Sequence, residues 1–317
     1  MTYTAADLVR LFDLETIEKD VFRGVSRDLG TGRIFGGQVL AQALVAASRT
    51  VPDDRSAHSL HGYFMLAGDL TIPVLYLVDR IRDGKSFTTR AVTAVQRGEA
   101  IFSMAASFHR PEEGPSHQID MPRVPPPEEL RPELDLLRER AQELPAALRG
   151  VLTQDRPLDF RPTDGLHPFE PRSREPRRCV WLRAIGNPGD DPIHHQAVLA
   201  YASDYGLLGA ALQPHGLIFR DPGVMLASLD HALWLHRPVR VDEWLLHVID
   251  SPVSGGARAF SRGTFFTREG SLVASTAQEG LLRLTAALAA GHEGPVSPAR
   301  GGRENGTVAI RRPISDP

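Results

Sequence analysis

Apolar residues along this chain fall into two kinds of run, and the two kinds recur in the same order. Residues 35–51, FGGQVLAQALVAASRTV, are apolar on nearly every face with no interior proline, which predicts a buried helix from about Gly37 to Arg49 that opens on a glycine pair. Strand-like stretches follow: HSLHGYFML (58–66), then IPVLYLVDRIR (72–82), SFTTRAVTAVQ (86–96) and EAIFSMAASFH (99–109). Asp83-Gly84 and Arg97-Gly98 turn signals divide the last three, which therefore read as an antiparallel meander. In the second half HHQAVLAYASDYGLLGAAL (194–212) is the matching helix and VMLASLDHALWLH (224–236) the single strand. EWLLHVIDS (243–251), ARAFSRGTFF (257–266) and SLVASTAQEGLLR (271–283) form the second meander. The closest local match sets SFTTRAV against SGGARAF, aligning Ser86, Arg90 and Ala91 with Ser254, Arg258 and Ala259. Two such units can join their strands edge to edge into one long sheet.

Between the halves, residues 111–130 are rich in proline and glutamate, and residues 131–152 read as a helix carried by i to i+4 charge pairs. After Arg283 the sequence holds too little apolar surface to fold. The expected division is a first unit over 1–115, a crossover linker with a helix over 116–150, a second unit over 151–283, and a mobile tail over 284–317.

Composition narrows the partners. The 317 residues are 42% apolar and 24% charged, ordinary for a globular enzyme. Thirty-six basic against 39 acidic side chains, with no long basic run, argue against nucleic acid or an anionic membrane as the main partner and favour a small ligand. The one cysteine, Cys179, allows no intramolecular disulfide and fits a reducing cytoplasm. The first twenty residues lack an apolar signal region, and no stretch is long enough to span a bilayer, so a cytoplasmic location with no membrane partner is expected.

Asp204 is the most informative single residue. On a helix its neighbours three and four positions away are Ala200, Tyr201, Leu207 and Leu208, so its face is apolar and a carboxylate there needs compensating donors or water. A solvated aspartate at a helix bend near Gly206, or a structural acceptor, is the plainer alternative. Ser228 and Gln278 are polar positions inside otherwise apolar strands, and Gln278 shares a strand face with Leu272, Ala274 and Thr276. A hydroxyl and an amide beside a carboxylate are the groups needed to hold one water, although spacing alone does not connect the three.

Several segments carry a more specific signal: LFDLETIEKDVFRG, GRIFGGQVLAQAL, HSLHGYF, RDGKSFTTRAV, AIFSMAASF, HQAVLAYASDYGLL, LDHALWLHRP, DEWLL and STAQEG. In these the chain resembles the acyl-CoA thioesterase II family, the TesB-type enzymes, over nearly its whole length except the tail. The resemblance implies an α+β double hotdog, two fused units each with a long helix wrapped by a curved antiparallel sheet. It also implies an acyl-CoA substrate, probed by catalytic residues at three matching positions: Asp204 in YASDYG, Ser228 in LASLDHALW and Gln278 in STAQEG. Better-known members carry threonine where this chain has Ser228; serine keeps the hydroxyl and loses the methyl that restricts χ1. The expected chemistry is hydrolysis by a water that Asp204 deprotonates while Ser228 and Gln278 aim it. With a reference pKa of about 3.9, such an aspartate is a weak base, and orientation then supplies much of the effect.

Gly36 and Gly37, at the start of the first helix, are candidate substrate-binding residues through backbone N–H groups that could meet an oxyanion. His58 and Tyr63 are candidates for pocket walls. Setting Val39 against Val198 puts Val45 opposite Asp204, and Ser107 falls opposite Gln278, so one active centre per chain is expected. No cofactor or metal is expected: GTGRIFGG spaces its glycines wrongly for a dinucleotide loop, and neither His194-His195 nor His231 with His236 makes a metal motif. AFSRG lacks the first glycine of a serine-hydrolase elbow, and nothing near Cys179 would activate a thiolate. A hydratase of the same fold would want a histidine close to Asp204, and a non-catalytic acyl-CoA sensor would lack a formed water site. Sheet edges and hotdog helices that pair further make a homo-oligomer the expected assembly.

Overall fold

The computed structural model describes residues 3–30, 32–144, 146–164, 173–218, 221 and 223–285. The tail expected over 284–317 lies outside these beyond Thr285, and Leu284 is still part of a strand. The first half runs α1 (Ala5–Phe12), β1 (Glu15–Glu18), β2 (Val21–Gly24), α2 (Gly36–Ser48), β3 (Ser56–Phe64), β4 (Val74–Asp83), β5 (Phe87–Gln96) and β6 (Glu99–His109). After the linker come β7 (Leu158–Pro162), β8 (Arg177–Ala184), α5 (Pro192–Ser203), α6 (Leu207–Leu212), β9 (Val224–Ser228), β10 (Asp230–Leu235), β11 (Leu245–Gly255), β12 (Arg258–Thr267) and β13 (Leu272–Leu284). The linker itself holds α3 (Glu133–Glu139) and α4 (Ala146–Leu152).

Among the described residues the strands form one sheet in the order β1-β2-β4-β5-β6-β3-β10-β13-β12-β11-β8-β7, with β9 paired to the far end of β13. The halves join where β3 meets β10 antiparallel, Leu60 opposite Leu233. On the inner side lie α2, buried from Gly37 to Ala47, and α5, buried from Ala197 to Ser203. Both are alanine-rich, so they approach closely: a Cβ on Gly37 would stand 2.5 Å from the Tyr201 carbonyl oxygen.

Four expectations are corrected. The second helix is not continuous to Leu212. It stops at Asp204, its C-cap, because Gly206 takes a left-handed backbone (φ 78°) that ends the α-helical hydrogen bonding before α6 begins. His194 and His195 sit in the first turn of α5. The strand expected over 224–236 breaks at Leu229, because the Asp230 carboxylate accepts the Glu279 N–H (2.6 Å) in place of a ladder carbonyl. The linker helix is two short pieces, and its charges reach other segments: Arg138 pairs with Asp155 (2.8 Å) and Arg156 with Glu133 (2.8 Å). Finally, the SFTTRAV/SGGARAF match is out of phase. Arg90 points into the core, fully buried on Thr50 and the Asp83 carboxylate (2.6 Å), while Arg258 points outward to Glu279. A one-residue slip moves every side chain of a strand to the other face.

Candidate active site

Asp204 ends α5 with its carboxylate turned toward the N-terminus of α2. Its Oδ2 accepts the Gly37 N–H (2.8 Å), and its Oδ1 accepts Gln278 Nε2 (2.7 Å) from β13. The two halves of the chain therefore meet on one carboxylate, whose side chain keeps only 5% of its surface exposed. The positive end of the α2 dipole and the two donors favour the charged form. Burial opposes them and prevails, pushing the Asp204 carboxyl up to about 6. It is thus a stronger base than the reference value of an aspartate implies.

Gln278 is buried, and its amide serves three neighbours. Besides Asp204, its Nε2 lies 3.1 Å from Ser228 Oγ and 3.2 Å from His231 Nδ1. A carboxylate accepts only, so the amide nitrogen rather than the oxygen must face Asp204. No described residue donates to Gln278 Oε1. Ser228, the last residue of β9, stands with Oγ 3.5 Å from Asp204 Oδ1, a long contact that leaves its hydroxyl proton available.

His231, fully buried on β10, was not among the sequence candidates. Burial pushes its pKa down to about 3, so the ring is neutral and its 4.0 Å approach to Asp204 is not an ion pair. Ser203 fixes its tautomer: Ser203 Oγ donates to the Ala200 carbonyl (2.8 Å) and accepts from His231 Nε2 (2.8 Å), which leaves Nδ1 as the acceptor for Gln278. The signal in the sequence was faint: His231, Leu233 and Leu235 alternate along β10, which places the imidazole on a core-facing row.

These groups open on a cavity of about 540 Å³ whose walls include Phe35, Phe160, Leu212, Leu226 and Ile249 beside Gly36, Asp204, Ser228 and Gln278. Gly36 belongs to it for a steric reason, since a Cβ there would stand 2.9 Å from Asp204 Oδ2. Its N–H has no acceptor among the described residues, whereas that of Gly37 is engaged by Asp204 and is not open to an oxyanion. His58 and Tyr63 do not line this cavity. His58 is the extra residue of a bulge between Ala57 and Ser59, bonded to Ser107 Oγ (2.8 Å), and Tyr63 is 65% exposed on the outer face. Ser107 therefore is not the counterpart of Gln278. The inward row of its strand is Phe102, Met104, Ala106 and Phe108, which offers no polar group. No group of three or more His, Cys, Asp or Glu among the described residues is arranged to hold a metal.

A family model described as acyl-CoA thioesterase matches residues 149–281, and one described as acyl-CoA thioesterase N-terminal domain matches residues 25–109. Acyl-CoA thioesterase 2 of Haemophilus influenzae is 39% identical over 279 residues, which is 88% of this chain and 98% of that protein. Acyl-coenzyme A thioesterase 8 of Homo sapiens is 40% identical over 282 residues, 86% of this chain and 88% of that protein. The crystal structure of an acyl-CoA thioesterase II, TesB2, from Mycobacterium marinum matches with a TM-score of 0.71 at 41% identity, covering 88% of this chain and 98% of that one. A hot dog fold protein from Alicyclobacillus acidocaldarius matches with a TM-score of 0.71 at 19% identity over 88% of this chain and 98% of that one, a likeness of fold alone. With its two helices against one continuous antiparallel sheet, the chain is a double hotdog and belongs to the acyl-CoA thioesterase II family.

Proposed function

We propose that the chain hydrolyses medium- to long-chain fatty acyl-CoA to free fatty acid and CoA, with Asp204 as the base that activates water. The observation that carries this reading is the buried Asp204 carboxylate, raised to about 6 and held by Gln278 at 2.7 Å, on the wall of an apolar cavity large enough for an acyl chain. Ionised Asp204 takes a proton as the water oxygen attacks the thioester carbonyl. The Gln278 Oε1 lone pairs and the Ser228 hydroxyl orient that water. Gly36 N–H, free at the start of α2, donates to the oxyanion. Collapse of the tetrahedral intermediate breaks the C–S bond, and the CoA thiolate recovers the proton from Asp204. Every step uses side chains, backbone and water, and no cofactor is invoked.

Hydrolysis is measured as release of CoA thiol with a thiol reagent. Asp204→Ala and Gln278→Ala should each lower turnover by at least about 10²-fold while the fold persists, the scale of general-base assistance. Full turnover in either variant refutes the assignment, and tight acyl-CoA binding without wild-type turnover would favour a sensor. We also propose the cytoplasm as its compartment, supported by the single thiol, and self-assembly through the outer face of the sheet.

A further inference from the structure

We propose that Arg178 is a second recognition point in this cavity and binds an anionic group of the substrate, either a phosphate of CoA or a carboxylate that ends the acyl chain. The proposal rests on the reading of the cavity as the acyl-CoA site. Along β8 the core-facing row runs Ala184, Leu182, Val180 and then Arg178, opposite Leu245, His247 and Ile249 of β11, all buried. The intervening residues, Cys179 and Trp181, pack into a separate cluster with Trp244 and Phe266. Arg178 thus continues an apolar inward row, half-buried, with its side chain on the cavity wall.

The helix above it has been shaped to admit the guanidinium. A Cβ on Gly209, inside α6, would stand 3.0 Å from Arg178 Nη1, and one on Gly206 would stand 3.6 Å away. Glycine disfavours a helix interior relative to alanine, and at Gly209 the missing side chain leaves room beside the guanidinium. Other cations on the cavity wall are satisfied within the protein: Arg156 by Glu133 (2.8 Å), Arg174 by Asp164 (2.7 Å), and Arg27 over the Tyr3 ring (3.4 Å). Arg178 makes no hydrogen bond or ion pair with any described residue. A half-buried guanidinium on the cavity wall with no partner in the described protein keeps its donors open to a ligand, and its planar fork matches a phosphate or carboxylate in two parallel hydrogen bonds.

The test compares wild type with Arg178→Met, which keeps an unbranched stem and removes the charge, on hexanoyl-CoA, adipoyl-CoA and hexanoyl-pantetheine, read as thiol release. If the anion is the acyl carboxylate, the variant loses about tenfold or more in kcat/KM on adipoyl-CoA alone. If it is a CoA phosphate, the same loss falls equally on both CoA esters and vanishes with the uncharged pantetheine ester. Either pattern supports the assignment. Equal kcat/KM for variant and wild type on all three esters overturns it, as does an equal loss on hexanoyl-pantetheine and hexanoyl-CoA, which marks a packing role. Wild type inactive on every ester would instead refute the hydrolase reading, an outcome that the variant comparison cannot produce.

Discussion

A carboxyl that titrates near 6 when folded and near 3.8 when free links catalysis and stability to the same proton. In the role proposed for it as base Asp204 must be ionised, so kcat/KM should rise about tenfold per pH unit below 6 and level off above it. Stability runs the other way. The folded state holds the proton more tightly, so wild type loses about 3 kcal/mol of stability relative to Asp204→Asn as pH rises from 4 through 6, and the difference is complete above that window. Urea unfolding of both proteins at pH 4 and pH 8 checks the sign, and a constant difference would show that burial does not shift this group. His231 makes a separate prediction, since its neutral ring holds the second hydrogen of the Gln278 amide. His231→Phe should lower kcat about tenfold with little change in KM, and His231→Asn, which restores an acceptor near Nδ1, should recover part of it. The pH midpoint should stay near 6 in both variants; a midpoint that moves would mean the imidazole itself titrates. Asp204 was legible in the sequence because apolar neighbours at helical spacing made a carboxylate anomalous. Gln278 and Ser228 were reached only through the family resemblance, and the Gly37 bond not at all: Gly37 is 167 residues away, and a hydrogen bond across that distance leaves no local pattern.

Among the elements, the ends of α2 and α5 are where backbone geometry decides function. Gly37 allows the first turn of α2 to lie against the Tyr201 carbonyl, and that approach brings its N–H to Asp204. Gly37→Ala should therefore cost about 1–3 kcal/mol in chemical unfolding, the usual penalty for overpacking. It should also cost activity in the fraction that stays folded, because relieving the clash moves the N–H of residue 37 away from the carboxylate; native turnover per folded molecule would refute the link. The helices and both meanders were readable from period and turn signals, which are local. The breaks were harder, because they come from single residues with tertiary roles. Gly206 ends α5 just beyond the Asp204 carboxylate, and Asp230 interrupts the strand by taking a backbone N–H that the ladder would otherwise use. The phase error between Arg90 and Arg258 has the same origin: a short sequence match carries no information about which face of a strand its residues occupy.

Across the whole molecule, joining β3 to β10 gives a single sheet packed on its inner side by α2 and α5, while on the outer side linker residues Met121, Val124 and Leu130 cover Trp181 and Trp244 of the second half. The row that carries Gln278 in the second half has an apolar counterpart in the first, Phe102, Met104, Ala106 and Phe108. Its outer face is the contrasting feature. Val21, Leu77, Thr93, Ser103 and Tyr63 stand directly opposite one another on five successive strands, making a row across β2, β4, β5, β6 and β3. Tyr63 is 65% exposed and Leu77 41%, with Leu75 at 37% beside them. This row of small and apolar side chains is the face on which the proposed self-assembly rests, since a second copy of the same sheet could cover it. A two-fold interface repeats each contact, so one substitution acts twice. Light scattering of the wild-type protein should give a mass that is a multiple of the chain's. Leu77→Glu should lower it toward a single chain by placing like charges across the axis, with Asp204 and its cavity untouched. A wild-type mass of one chain at micromolar concentration would refute self-assembly, and an unchanged multiple in Leu77→Glu would move the interface to another surface.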